Sequence, residues 1–129
     1  MKERLEKEVA LLQKQYPAVR HDQNLDWVIV EDLPLPDEYN RDTTGVLIFV
    51  PSGYPETPPD NFWVPSGLRL ANDGQPDAFN PSHRTHEGEE WDRFSWHEDD
   101  GWAPSEDVED GSNLLTFMQT VEKRLKEAE

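Results

Sequence analysis

The sequence contains no cysteine. That removes disulfides, thiolate metal sites and thiol nucleophiles at once. Positive charge is scarce: 12 Lys and Arg stand against 28 Asp and Glu, a formal net charge of −16. Such a surface repels phosphate backbones and anionic lipid, so no nucleic-acid or membrane partner is expected. Long apolar runs are missing as well. None approaches the roughly 18 residues of a membrane span, and the amino terminus is charged from Lys2 onward, so the chain reads as cytoplasmic without a secretory signal. There is no Gly-rich phosphate loop. His83, His86 and His97 with Glu87 lack zinc-site spacing, and Asp99-Asp100-Gly101 opens no calcium loop, so neither metal nor cofactor is expected.

Only 34% of the 129 residues are hydrophobic, yet five are Trp, and aromatic anchors of that number belong to a folded core. The length suits one domain spanning 1–129. Leu5, Val9, Leu12 and Tyr16 recur at helical spacing and stop at Pro17, which predicts an amphipathic first helix over 2–16. Through Arg20 its cations Lys2, Arg4, Lys7, Lys14 and Arg20 outnumber Glu3, Glu6 and Glu8, a net charge of +2 on an acidic protein, either a solvated face or a docking surface for an acidic partner.

Short strand-like segments follow at 25–30, 45–50, 61–64 and 68–70, separated by turn-rich stretches with no helical pattern, which favours an antiparallel meander. Leu114, Phe117, Met118, Val121 and Leu125 predict a closing helix capped by Ser112 or Asn113. The expected class is α+β, with an N-terminal helix, a β-meander and a C-terminal helix packed on one face of the sheet. Between Ala71 and Gly111 the chain is polar but holds Trp91, Phe94, Trp96 and Trp102, and an ordered, irregular segment is expected there.

Tyr54, Pro55, Pro58, Pro59 and Phe62 form a Tyr-Pro-x-x-Pro-Pro-x-x-Phe motif between two of these strands. Rigid turn chemistry explains part of it. The whole motif resembles the signature of the ubiquitin-conjugating enzyme superfamily. The resemblance extends to the first helix, which in that family contacts the activating enzyme, and to Trp102-Ala103-Pro104, similar to the family's Trp-x-Pro ahead of a helix. By resemblance, then, the partners are an activating enzyme, reached through Arg4, Lys7 and Lys14, and a ubiquitin-like protein. A deconjugating metalloprotease in the same pathway is a further partner it suggests.

The departures from the family are as informative. The family's His-Pro-Asn motif has only a remote echo in Asn80-Pro81-Ser82-His83, and without cysteine no thioester can form. Trp91-Asp92-Arg93-Phe94-Ser95-Trp96-His97 is similar to the Trp-x-Arg-aromatic-Ser-Arg-His pattern of a bacterial branch of the superfamily, departing at Trp96. Ser95 is the candidate nucleophile for an oxyester and His97 its general base, since residues two apart in an extended chain share a face. Asp92, Glu98 or Asp99 is a candidate to orient the imidazole, and a group near Asn80 a candidate oxyanion donor. The alternative is a catalytically inactive variant that only binds a ubiquitin-like protein or an activating enzyme. A chain whose cysteine had been exchanged for serine to trap an intermediate reads the same way.

Overall fold

The computed structural model describes residues 2–71, 74, 79–97, 102–107 and 109–126. The first helix, α1 (Lys2–Gln15), buries Leu5, Val9 and Leu12 on one stripe and ends before Pro17, as its periodicity predicts. Six strands follow: β1 (Ala18–His21), β2 (Trp27–Pro34), β3 (Thr43–Phe49), β4 (Asp60–Pro65), β5 (Phe79–His86) and β6 (Glu89–His97). The closing helix is α2 (Leu114–Lys126). Asn113, rather than Ser112, caps it: the Asn113 side-chain oxygen accepts the Thr116 N–H at 2.8 Å, and the Thr116 hydroxyl accepts the Asn113 N–H at 2.9 Å. Among the described residues no helix is long and apolar enough to cross a membrane.

All strand pairings are antiparallel, in the order β1-β2-β3-β4-β6-β5. Three expectations need correction. Among the described residues the sheet has six strands rather than four. Residues 68–70 form no strand: Leu68 is buried in the core, and Leu70 makes a single bridge to Tyr39. Much of the stretch expected to be irregular is the β5–β6 hairpin. It turns at Glu87-Gly88, both with positive φ (51° and 75°), as a tight two-residue hairpin loop requires. β5 reads Phe-Asn-Pro-Ser-His-Arg-Thr-His, with almost no intrinsic strand preference, so its state comes from pairing with β6.

Two hydrophobic clusters flank the sheet. On one face Val28, Val30, Val46, Ile48, Phe62, Val64 and Phe94 pack against the apolar stripes of α1 and α2, the single helical layer that the α+β reading expects. On the other, Ile29, Leu47 and Trp91 gather with Trp27, Phe49 and Trp63. The sheet curls so far that His86 of β5 reaches across this second face, its ring 4.9 Å from Trp27 and 5.3 Å from Phe49, both edge-on. Two residues with positive φ mark irregularities in the ladder, Asp32 in β2 (57°) and Asn61 in β4 (65°).

A buried carboxylate joins the helices to the loop between β3 and β4. Glu8 lies on the core side of α1 with no solvent exposure. One of its oxygens takes the Arg4 Nε–H at 2.8 Å. The other accepts the Tyr54 hydroxyl and, at 2.7 Å, the backbone N–H of Leu114, the first residue of α2. That N–H has no partner within its own helix, and the positive end of the helix favours an anion there. Burial, and then the neighbouring Glu8 carboxylate, push the Tyr54 hydroxyl far above its ordinary range, so it serves as a neutral donor. At the far end of α2, Tyr39 donates to the Leu125 carbonyl, and burial pushes its hydroxyl up to about 12.

Two stability predictions follow from these contacts. Phe117→Ala, at a position with no solvent exposure, is expected to cost ~3–5 kcal/mol in urea unfolding, and a change under ~1 kcal/mol would contradict its core placement. Glu8→Ala leaves the Arg4 Nε–H, the Tyr54 hydroxyl and the Leu114 N–H without their acceptor. A loss of ~3–5 kcal/mol is expected, with Tyr54→Phe costing only ~1–3 kcal/mol; equal losses would place the burden on the hydroxyl rather than the carboxylate.

Candidate functional site

The turn from Gly53 to Pro59 is fixed before any chemistry enters. The Thr57 N–H returns to the Gly53 carbonyl at 2.9 Å, and a Cβ at Gly53 would meet the Thr57 hydroxyl at 2.6 Å. The Tyr54-Pro55 peptide is cis. Tyr54 and Pro59 are buried, Pro55 and Pro58 partly so. Trp102 packs its ring 6.0 Å from that of Tyr54 and donates its indole N–H to the Pro55 carbonyl at 2.8 Å. The two motifs read separately from the sequence therefore meet in one contact. Phe62, the last residue of the first motif, stacks on Phe94 with centroids 4.9 Å apart and planes 9° from parallel. Phe94 immediately precedes Ser95, so the motif is clamped against the strand that carries the candidate nucleophile.

The segment after Pro104 is tied back just as firmly. Ala103 and Ser112 exchange two hydrogen bonds: the Ser112 hydroxyl accepts the Ala103 N–H and the Ala103 carbonyl accepts the Ser112 N–H, each at 2.9 Å. Gly111 is required between them, because its φ is 97° and a Cβ would lie 2.6 Å from the Ala103 carbonyl. Arg4 reaches across from α1 to the carbonyls of Ser105 and Ser112.

Ser95 and His97 occupy alternate positions of β6. Their side chains, like that of Asn80, lie outside the described residues, and only the backbone places them. The register sets Asn80 opposite Arg93, two positions before Ser95, and sets Asp60 of β4 opposite His97. Asp60, whose side chain also lies outside the described residues, is a neighbour of His97 that sequence reasoning did not anticipate. Its position beside Pro59 gave no hint, because only the pairing of β4 with β6 brings it there.

Of the carboxylates expected to orient His97, Asp92 is engaged elsewhere: fully buried, it accepts the Ser66 hydroxyl at 3.0 Å and the Gly67 N–H at 3.3 Å. Glu98 and Asp99 lie outside the described residues. Among the described residues no three His, Asp or Glu side chains converge as a metal site, and the His86 ring is held between Trp27 and Phe49.

The three cations of α1 separate in the structure. Arg4 is bound to Glu8 and to the carbonyls beyond Pro104, with its side chain only 15% exposed, so it belongs to the internal lock rather than to a free face. Lys7 and Lys14 are exposed. With Ala10 and Leu11 they line a shallow groove whose other wall is Glu106, Asp107 and Glu109.

A comparison with protein families matches residues 8–128 to Prokaryotic E2 family E. No curated protein and no solved structure matches the sequence. The match begins at Glu8, the carboxylate that locks α1 to the rest of the fold, and runs through both motifs and into the end of α2. On that evidence the protein belongs to Prokaryotic E2 family E, an E2-like family.

Proposed function

We propose that the chain is a single conjugating-type domain of a bacterial ubiquitin-like pathway in the cytoplasm, receiving a ubiquitin-like protein from an activating enzyme and holding it as an oxyester on Ser95. The observation that carries this reading is the family match over a chain that has no cysteine, with Ser95 two residues before a histidine in the strand clamped by Phe62.

In the first step the Ser95 oxygen attacks the activated carboxyl carbon of the ubiquitin-like protein, which arrives as a thioester or an acyl adenylate. The new C–O bond forms as the bond to the leaving sulfur or phosphate oxygen breaks. His97 takes the Ser95 proton and returns it to the leaving group. In the second step an amine of the target attacks the ester carbon, and Ser95 recovers a proton as it leaves. An oxyester is less reactive toward amines than a thioester, so this step depends on donors that stabilise the oxyanion, of which Asn80 is a candidate by position. One such donor contributes ~2.7–4 kcal/mol in other acyl-transfer sites.

Incubation with the activating enzyme, ATP and the ubiquitin-like protein is expected to yield an adduct that resists thiol reductants and is cleaved by base. Ser95→Ala must abolish it, and Ser95→Cys must make it thiol-labile. His97→Ala is expected to slow formation by ~10²–10⁴-fold, the usual range for loss of a general base. Binding of the ubiquitin-like protein with no adduct would favour the inactive-variant reading instead.

Docking on the activating enzyme is assigned to the Lys7 and Lys14 side of α1. Exchange of both for Glu should slow association, with the loss greatest at low salt because exposed charges act over a Debye length of about 10 Å at 0.1 M salt. An unchanged association rate at low salt would move the docking face elsewhere.

A further inference from the structure

We propose that Arg93 and Arg84, gathered around Trp63 on the sheet face away from the helices, form a binding site for the carboxyl terminus of the incoming protein. The inference deepens the proposed function and rests on it for the identity of that protein. Trp63 belongs to the cluster of Ile29, Leu47 and Trp91 on this face. Arg93 stands directly opposite Trp63 in the β4–β6 register, and directly opposed residues present their side chains on the same face. Trp91, two residues earlier in β6, lies in the same cluster, as alternation along the strand requires. From the neighbouring strand, the exposed Arg84 lays its guanidinium 5.3 Å from the Trp63 ring centroid and 4.4 Å from that of Phe49.

The Arg93 Nε–H is buried and has no hydrogen-bond partner among the described residues, and the same holds for His86 Nε2, whose ring packs on Phe49 of this face. A buried donor without an acceptor carries its full desolvation cost. What is missing beside Arg93 is therefore an acceptor. The planar fork of a guanidinium fits the two oxygens of a carboxylate, and a chain of net charge −16 tolerates a single negative charge better than a phosphate dianion. Ser95 is two positions from Arg93 along β6, about 7 Å at the rise of a strand, so a tail held at Arg93 ends two residue lengths from the position of the nucleophile. The Arg93 N–H serves as donor to the carboxylate of the free tail.

The test uses the full chain and a probe with no side chains, N-acetyl-glycylglycine, followed by NMR at the Trp63 indole. Its arms are the free acid, the C-terminal amide and inorganic phosphate. The free acid is expected to bind at least tenfold tighter than the amide and tighter than phosphate. Arg93→Ala and Arg84→Ala should each weaken it at least fivefold, with Arg93→Lys recovering only part. Equal binding of acid and amide, phosphate binding as tight as the acid, or no effect of either arginine overturns the inference. Should Arg93→Ala fail to fold, the acid-against-amide comparison on the wild-type chain and the exposed Arg84→Ala decide the matter. No acyl transfer enters these readouts. Arginine-dependent acid binding without a Ser95 adduct would retain this site and remove the covalent mechanism, whereas an adduct without acid preference would do the reverse.

Discussion

The Glu8 carboxylate is the contact on which the positions of both helices and the Tyr54 loop depend. Buried without solvent exposure, it accepts from the Arg4 guanidinium, the Tyr54 hydroxyl and the first N–H of α2. A charge in that position is tolerable only because its oxygens are satisfied by donors from separate parts of the chain. In turn, each of those parts is fixed: Arg4 carries the lock on to the carbonyls of Ser105 and Ser112, Tyr54 carries it to Trp102, and Leu114 orients the start of α2.

The two faces of the sheet then divide the labour. The helix face is a conventional apolar core, and its Phe62–Phe94 stack holds β4 against β6 just before Ser95. The opposite face would be an exposed aromatic patch if the sheet were flat. Curling brings Arg84 and His86 over Trp27, Phe49 and Trp63, covering part of that apolar area while introducing cationic and polar edges. An acidic protein thereby gains a local positive site next to the strand that bears the candidate nucleophile.

Helix periodicity in Leu5-Val9-Leu12 and Leu114-Phe117-Val121 is a local property, and it was enough to place both helices and the faces they bury. The apolar runs of β2, β3 and β4 were legible for the same reason. β1 was not, since four residues containing a single β-branched side chain carry no period. β5 was not either: its polar residues form a strand only because Glu87-Gly88 turns the chain back onto β6. Trp91 and Phe94, legible as anchors, gave no sign that they lie on opposite faces of one strand.

Sequence alone determined the absence of thiol chemistry, the acidic balance, the α+β class and the two motifs, because each depends on residue identity or on spacing within a few turns of chain. Tertiary structure decided which of those residues meet. The union of Tyr54 with Trp102, the capture of Arg4 by Glu8, the commitment of Asp92 to Ser66 and Gly67, and the register that sets Asp60 opposite His97 are pairings between residues distant in sequence. Such pairings are fixed by sheet register and by the need to satisfy buried charge, and neither has a signature in the order of residues on one strand.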